Sequence, residues 1–258
     1  MSEPRRRDTD GSRASSTETG KRLLDLLLLF SSSHPVWTIN ELSEASGFSL
    51  STTYRYVSAL RETGLIDRIG DAQYRVTDLI FVLAEAARAA RPPLDELAAP
   101  ILRRIRDETD ESVFVATRAG WNVIMVTREE SRRPVRLQFE PGRPMLLHLG
   151  SLSRILLAAM APHDRNGYLA TLDPEVRKRD VLSEESLQRV SLEGFTESFE
   201  EVDEGIWGTA AAVTRRGEVF AALGCAAPLY RNNEAHRSAI IALVRDGAKE
   251  LSAILSRT

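Results

Sequence analysis

The chain has 258 residues, is 43% hydrophobic and 28% charged, and carries a formal net charge of −3. That length suits two domains better than one, and the balance is that of an ordinary globular protein rather than a disordered or strongly basic one. Apolar runs such as residues 26–30 fall far short of the roughly 20 residues that span a bilayer, and the charged start lacks the apolar core of a signal peptide. A cytoplasmic protein with no membrane partner is expected. The single cysteine, Cys225, excludes an internal disulfide framework and fits a reducing compartment; within its apolar run it reads as a packed small hydrophobe.

Residues 1–17 are rich in Ser, Arg, Asp, Glu and Thr and are expected to form a disordered arm. Residues 21–30 (KRLLDLLLLF) read as an apolar helix suited to covering the motif that follows and to starting a dimer contact. Thr38 and Glu41 have the spacing of a capping box. The helix they open places Ile39, Leu42 and Ala45 on one face and stops at Gly47, which tolerates the left-handed backbone of a tight turn. Phe48 plugs that turn. A second helix, residues 49–63, turns Thr53, Tyr56, Val57 and Leu60 inward at helical spacing.

That spacing leaves Ser49, Ser51, Thr52, Tyr54, Arg55 and Ser58 facing out. Hydroxyls and a guanidinium suit phosphate oxygens and base edges in a major groove, and no acid occurs between Phe48 and Arg61. Residues 65–69 and 73–76 alternate around Gly70-Asp71, a hairpin signal. Helix, turn, helix, hairpin is the winged helix-turn-helix arrangement, with Arg68 and Arg75 on the wing able to reach the DNA backbone. Net charge does not help this reading. Residues 1–92 hold 12 Lys/Arg and 12 Asp/Glu, so affinity is expected to come from dimerisation and groove fit more than from bulk attraction.

Residues 78–90 form a helical stripe (Leu79, Val82, Leu83, Ala86) ended by Arg91-Pro92-Pro93. It reads equally as a linker helix (residues 78–93) or as part of the first domain (residues 18–77). From residue 94 the pattern is mixed. Helices are expected over 94–108, 151–160, 182–192 and 234–255, the last with Ile240, Ile241, Val244, Ala248, Leu251 and Leu255 inward. Strands are expected at 112–117, 123–127, 135–139, from 194, and at 209–214 and 219–226. The fold class is therefore α+β, with a central antiparallel sheet flanked by helices, GAF-like in outline, over residues 94–258.

Four segments in order resemble the IclR family of bacterial transcription regulators: SGFSLSTTYRYVSALRETGLIDR, ESVFVATRAGWNVIMVTREES, PGRPMLLHLGSLSRILLAAM and GFTESFEEVDEGIWGTAAAV. The resemblance covers nearly the whole chain from about Thr19. It implies a winged N-terminal domain on a double-stranded DNA operator, a C-terminal domain that binds a small-molecule effector and mediates oligomerisation, and a homodimer or dimer of dimers, with no cofactor. By position, its effector pocket maps to Met145, Leu146, Ser151, Leu152, Arg154, Ser198, Ile206, Gly208, Gly224 and Ala226. The chain departs from the family pattern at Ser198, where an acid is usual, and at Ala211-Ala212-Val213, where a proline is missing. Such a lining implies a small organic acid, with a larger and partly aromatic molecule favoured and its carboxylate held by Arg154 or Arg143. Repression of a catabolic operon is the default reading.

Other functions lack residues. His34, His148, His163 and His236 show no metal-pair spacing, and neither a nucleophile elbow nor a glycine-rich phosphate loop occurs. His148 reads as a structural hydrogen-bonder. The acid run Glu200-Glu201 with Asp203-Glu204 reads as solvated loop charge rather than a paired-carboxylate site. An enzyme is not expected, and a winged module for protein or RNA contact fits the outward face less well.

Overall fold

A computed structural model describes residues 10–31, 33–134 and 144–257. The chain divides into two units between Ala90 and Arg91. The first holds α1 (Asp10–Leu27), β1 (Val36–Thr38), α2 (Ile39–Ser46), α3 (Leu50–Glu62), β2 (Ile66–Ile69), β3 (Gln73–Val76) and α4 (Leu79–Ala89). Helix α1 opens at Asp10, so residues 10–17 are helical rather than the disordered arm expected; the arm's first nine residues lie outside the described residues.

The capping box forms as expected. The Glu41 amide donates to the Thr38 hydroxyl at 3.3 Å, and the Thr38 amide donates to the Glu41 carboxylate at 2.7 Å. The Thr38 amide, and after it the Thr38 hydroxyl, hold the Glu41 carboxyl below its ordinary value of 4.5. A depressed carboxyl pKa adds stability above the unfolded value and loses it as pH falls through the folded one. The melting-temperature gap between wild type and Glu41→Gln should thus be open at neutral pH and close in acid, which thermal melts across that range will read.

Gly47 (φ 69°) ends α2 in the left-handed region. Phe48 packs edge-on against Tyr56, with ring centroids 5.7 Å apart. Thr53, Tyr56, Val57 and Leu60 are buried, as their spacing predicts, with Leu26, Leu42, Ile66 and Tyr74 completing the core. Ala45 is exposed. At about 100° per residue it sits roughly 120° round the helix from Ile39, and its neighbour Ser46 turns inward to donate to the Leu42 carbonyl at 2.6 Å.

The wing forms with Asp67 opposite Arg75 and Arg68 opposite Tyr74. Strand β1, which the sequence reading lacks, adds a third strand in the order β1-β3-β2. Helix α4 groups with this unit and buries none of its residues; Phe81, Val82 and Leu83 are exposed.

The second unit holds α5 (Leu94–Thr109), β4 (Ser112–Ala119), β5 (Asn122–Glu129), β6 (Met145–Leu146), α6 (Ser151–Ala158), α7 (Pro162–Ala170), α8 (Pro174–Arg177), α9 (Glu184–Glu193), β7 (Phe195–Phe199), β8 (Ile206–Arg215), β9 (Glu218–Pro228) and α10 (Glu234–Leu255). Its six-stranded sheet runs β6-β5-β4-β9-β8-β7 with every neighbour antiparallel. Strand alternation splits the core into two layers. Val113, Val115, Trp207, Val213 and Leu223 meet Ile101, Ile105, Val244 and Leu251 of α5 and α10. On the opposite face Ala116, Val123, Ala210 and Ala222 meet Leu156, Leu157 and Leu187 of α6 and α9.

The architecture is the α+β one expected. Of the helical stripe on α10, Ile241 is only half-buried. The strand expected at 135–139 lies outside the described residues. No helix among the described residues is long and apolar enough to cross a membrane, and no cluster of three or more metal-binding side chains occurs among them.

Candidate DNA-binding face and effector pocket

Helix α3 presents Ser51, Tyr54, Arg55 and Ser58 to solvent, with Tyr54 59% exposed. Ser49 has a second task. As the N-cap its hydroxyl accepts the Thr52 amide, and it shares hydrogen bonds with the hydroxyls of Ser51 (3.2 Å) and Thr52 (3.0 Å). These three hydroxyls therefore form one cluster at the start of α3, where the helix dipole favours anionic phosphate. The Arg55 guanidinium lies 5.3 Å from the Tyr56 ring centroid, a contact that orients it without neutralising it.

On the wing the two arginines differ. Arg75 donates to both carboxylate oxygens of Asp67, at 3.0 and 3.3 Å, so its charge is matched within the hairpin. Arg68 is exposed and lines one recess with Asn40, Tyr54 and Tyr74. Asn40, at the start of α2, is a polar group beside this face that the sequence reading missed; nothing but its place after the capping residue marks it.

In the second unit a row of paired residues crosses three strands: Ser198 on β7, Gly208 on β8 and Ala226 on β9. Small side chains along that row leave room above the sheet, and the start of α6 comes down over it. The resulting cavity is lined by Ser198, Gly208 and Ala226, by Phe114 and Ile206, and by Met145, Ser151 and Leu152. The cavity has a volume of about 50 Å³, several waters' worth of space. Ser151 and Ser198 are 6% and 7% exposed. A methyl group at Gly208 would stand 3.0 Å from the Ser198 hydroxyl and 3.2 Å from that of Ser151, so both hydroxyls converge over this glycine.

Three expected lining residues are elsewhere. Leu146 is 51% exposed; next to Met145 on a strand, it faces the other way. Gly224 lies under Leu152, whose Cγ would be 3.0 Å from any added Cβ, so this glycine serves helix-on-sheet packing. Arg154 is buried behind the cavity. It donates to the Glu197 carbonyl at 2.9 Å and the Thr196 hydroxyl at 3.3 Å, and pairs with Glu201. The other expected cation, Arg143, lies outside the described residues.

The cavity also takes Leu149, Gly150, Ser153, Glu201, Val202 and Cys225, which the sequence reading did not place there. Glu201 reverses the expectation of solvated loop charge: its side chain is 7% exposed, and its second oxygen accepts the Gly150 amide at 3.2 Å. Burial pushes the Cys225 thiol pKa upward, consistent with a packed hydrophobe. His148 is hydrogen-bonded to Tyr168 at 2.6 Å, and burial, then the charge of Arg179, lowers its pKa.

Gly208→Ala should weaken binding of any ligand in this cavity by about tenfold or more, the equivalent of roughly 1.4 kcal/mol. DNA affinity without ligand should stay unchanged. Calorimetry and a DNA titration on one protein sample read both.

Residues 87–253 match the family model described as bacterial transcriptional regulator IclR C-terminal, and residues 21–70 match the IclR helix-turn-helix domain. The chain belongs to the IclR family. It is 27% identical over 237 residues to the transcriptional regulator BhcR of Paracoccus denitrificans, covering 90% of this chain and 85% of that one. It is 25% identical over 266 residues to the transcriptional repressor AllR of Salmonella typhi, covering 99% and 97% of the two chains. An IclR homologue of Microbacterium hydrocarbonoxydans, complexed with 4-hydroxybenzoate, shares the fold with a TM-score of 0.70 at 22% identity, over 93% of this chain and 100% of that one. IclR proteins are DNA-binding transcription regulators rather than enzymes, and this chain is one of them.

Proposed function

We propose that this IclR regulator is a ligand-responsive repressor of a catabolic operon, acting in the cytoplasm as a homodimer or dimer of dimers. The observation that carries this is one chain holding both a free α3 face of hydroxyls and Arg55, and a largely apolar cavity where two buried serines converge. DNA contact is assigned to Ser49, Ser51, Thr52, Tyr54, Arg55, Ser58 and Arg68, with Arg75 in a lesser part. The exposed apolar side of α4, together with Leu24 of α1 and Leu28 just beyond its end, at 54% and 61% exposure, supports self-association, since monomers rarely leave such faces open.

The effector is a small organic molecule whose apolar body, aromatic by preference, lies against Phe114, Met145 and Ile206. The 4-hydroxybenzoate bound by the Microbacterium protein supports an aromatic ligand, for which the cavity opens beyond its present volume of about 50 Å³. The acid foreseen for this pocket loses its best cation, because Arg154 is already paired. Switching follows from linkage: the effector changes DNA affinity only by binding the DNA-competent and incompetent arrangements unequally, typically by about 1–3 kcal/mol or roughly 5–150-fold.

The test starts from a thermal-shift screen of small aromatic and aliphatic compounds, since a ligand specific for the folded state raises the melting temperature. Operator affinity is then titrated with and without each hit. A change within that range supports the proposal. Stabilising ligands that leave operator affinity untouched overturn it.

A further inference from the structure

We infer that the cavity selects an uncharged ligand, a phenol, alcohol or carbonyl compound, and that Glu201 enforces the choice. The inference rests on reading this cavity as the effector site. Arg154 is the cation next to the cavity's polar end among the described residues, and it is 5% exposed. Its guanidinium is taken by the Glu197 carbonyl, the Thr196 hydroxyl and the Glu201 carboxylate. Glu201 also accepts the Gly150 amide, which puts a carboxylate at the N-terminus of α6, where a ligand's own anion would be best placed.

A ligand carboxylate reaching Ser151 and Ser198 would then share the cavity with Glu201. Two carboxylates in one site disfavour each other's charged forms, and a buried anion without a counter-charge is costly. Beyond the Arg154–Glu201 pair, what the described residues of the cavity offer is neutral. The Ser151 hydroxyl, on a residue only 6% exposed, lines the cavity, and that of Ser198 is only 3.5 Å from the Gly208 carbonyl, at the limit of a hydrogen bond. A ligand hydroxyl donates to one serine and accepts from the other, and a carbonyl accepts from both. Either satisfies these buried groups without adding charge.

The experiment compares benzyl alcohol, phenol and benzamide with benzoate, by calorimetry and thermal shift on the full chain at neutral pH. Wild type should bind the best uncharged probe at least tenfold more tightly than benzoate. Glu201→Gln, which removes the competing charge and releases Arg154, should shrink or reverse that ratio. If Glu201→Gln does not fold, Ser151→Ala still decides: it should weaken the uncharged probes about tenfold and benzoate, which wild type already binds poorly, by less, and uncharged probes bound as well as by wild type overturn the rule. Benzoate bound by wild type as tightly as the neutral probes overturns the selection rule alone, provided Gly208→Ala abolishes that binding. Binding indifferent to Gly208→Ala, or no binding by any probe, overturns both the rule and the assignment of the cavity.

Discussion

Arg55→Ala should lose operator affinity at every salt concentration while melting at the wild-type temperature. A guanidinium on base edges is worth about 1–3 kcal/mol of discrimination. A dimer changed in both copies loses it twice, so a drop from about 30-fold to well over 1,000-fold is expected. The side chain is exposed and rests against the Tyr56 ring, so the fold has little to lose. Arg75→Ala is the internal comparison. Its guanidinium already answers Asp67 across the hairpin, so its removal should cost far less affinity. Equal losses for the two variants would mean that the wing contributes as much as α3 and that the Asp67 pair does not withhold Arg75.

The largest stability effect should come from the other unit. Glu111, 1% exposed at the head of β4, accepts two hydrogen bonds from Arg231, at 2.7 and 2.6 Å. The Arg231 side chain is itself only 12% exposed. Removing one partner of a buried ion pair strands the other charge and typically costs about 3–5 kcal/mol. At about 2–4 °C per kcal/mol for a domain of this size, Glu111→Ala should lower the melting temperature of the second unit by roughly 6–20 °C. Replacing both residues, as Glu111→Leu with Arg231→Met, should recover most of the loss, because a well-packed apolar pair replaces a buried ion pair at little cost. A double variant as unstable as the single one would show that Arg231 holds the chain turn after β9 in some way beyond charge.

The helix-turn-helix was legible because its determinants are local. The Thr38–Glu41 box, the left-handed Gly47, the Ser49 cap and the spacing of Thr53, Tyr56, Val57 and Leu60 all act within a few residues. Strand β1 was not legible, since three residues show no periodicity and only pairing with β3 makes them a strand. Helix α7 hid behind Asn166-Gly167, poor helix formers that tertiary packing overrides.

Ser198, Gly208 and Ala226, expected together from the resemblance, do line one cavity, because strand register sets them in a row. The pocket was misread at Leu146 by one residue, enough to reverse a strand's faces. Burial of Glu201 could not be read at all. It depends on Arg154, 47 residues earlier on a different element, and nothing within the acid run distinguishes it from Glu200. The polar end of the cavity turns on that long-range pair.

Selection of bound duplexes from a random pool by the purified full chain tests the central account most directly. The account predicts enrichment of an inverted repeat whose half-sites lie about one helical turn, or a multiple of it, apart, with enrichment lost in Arg55→Ala. A pool that stays random, or a single unrepeated site that Arg55→Ala binds as well as wild type, would contradict it.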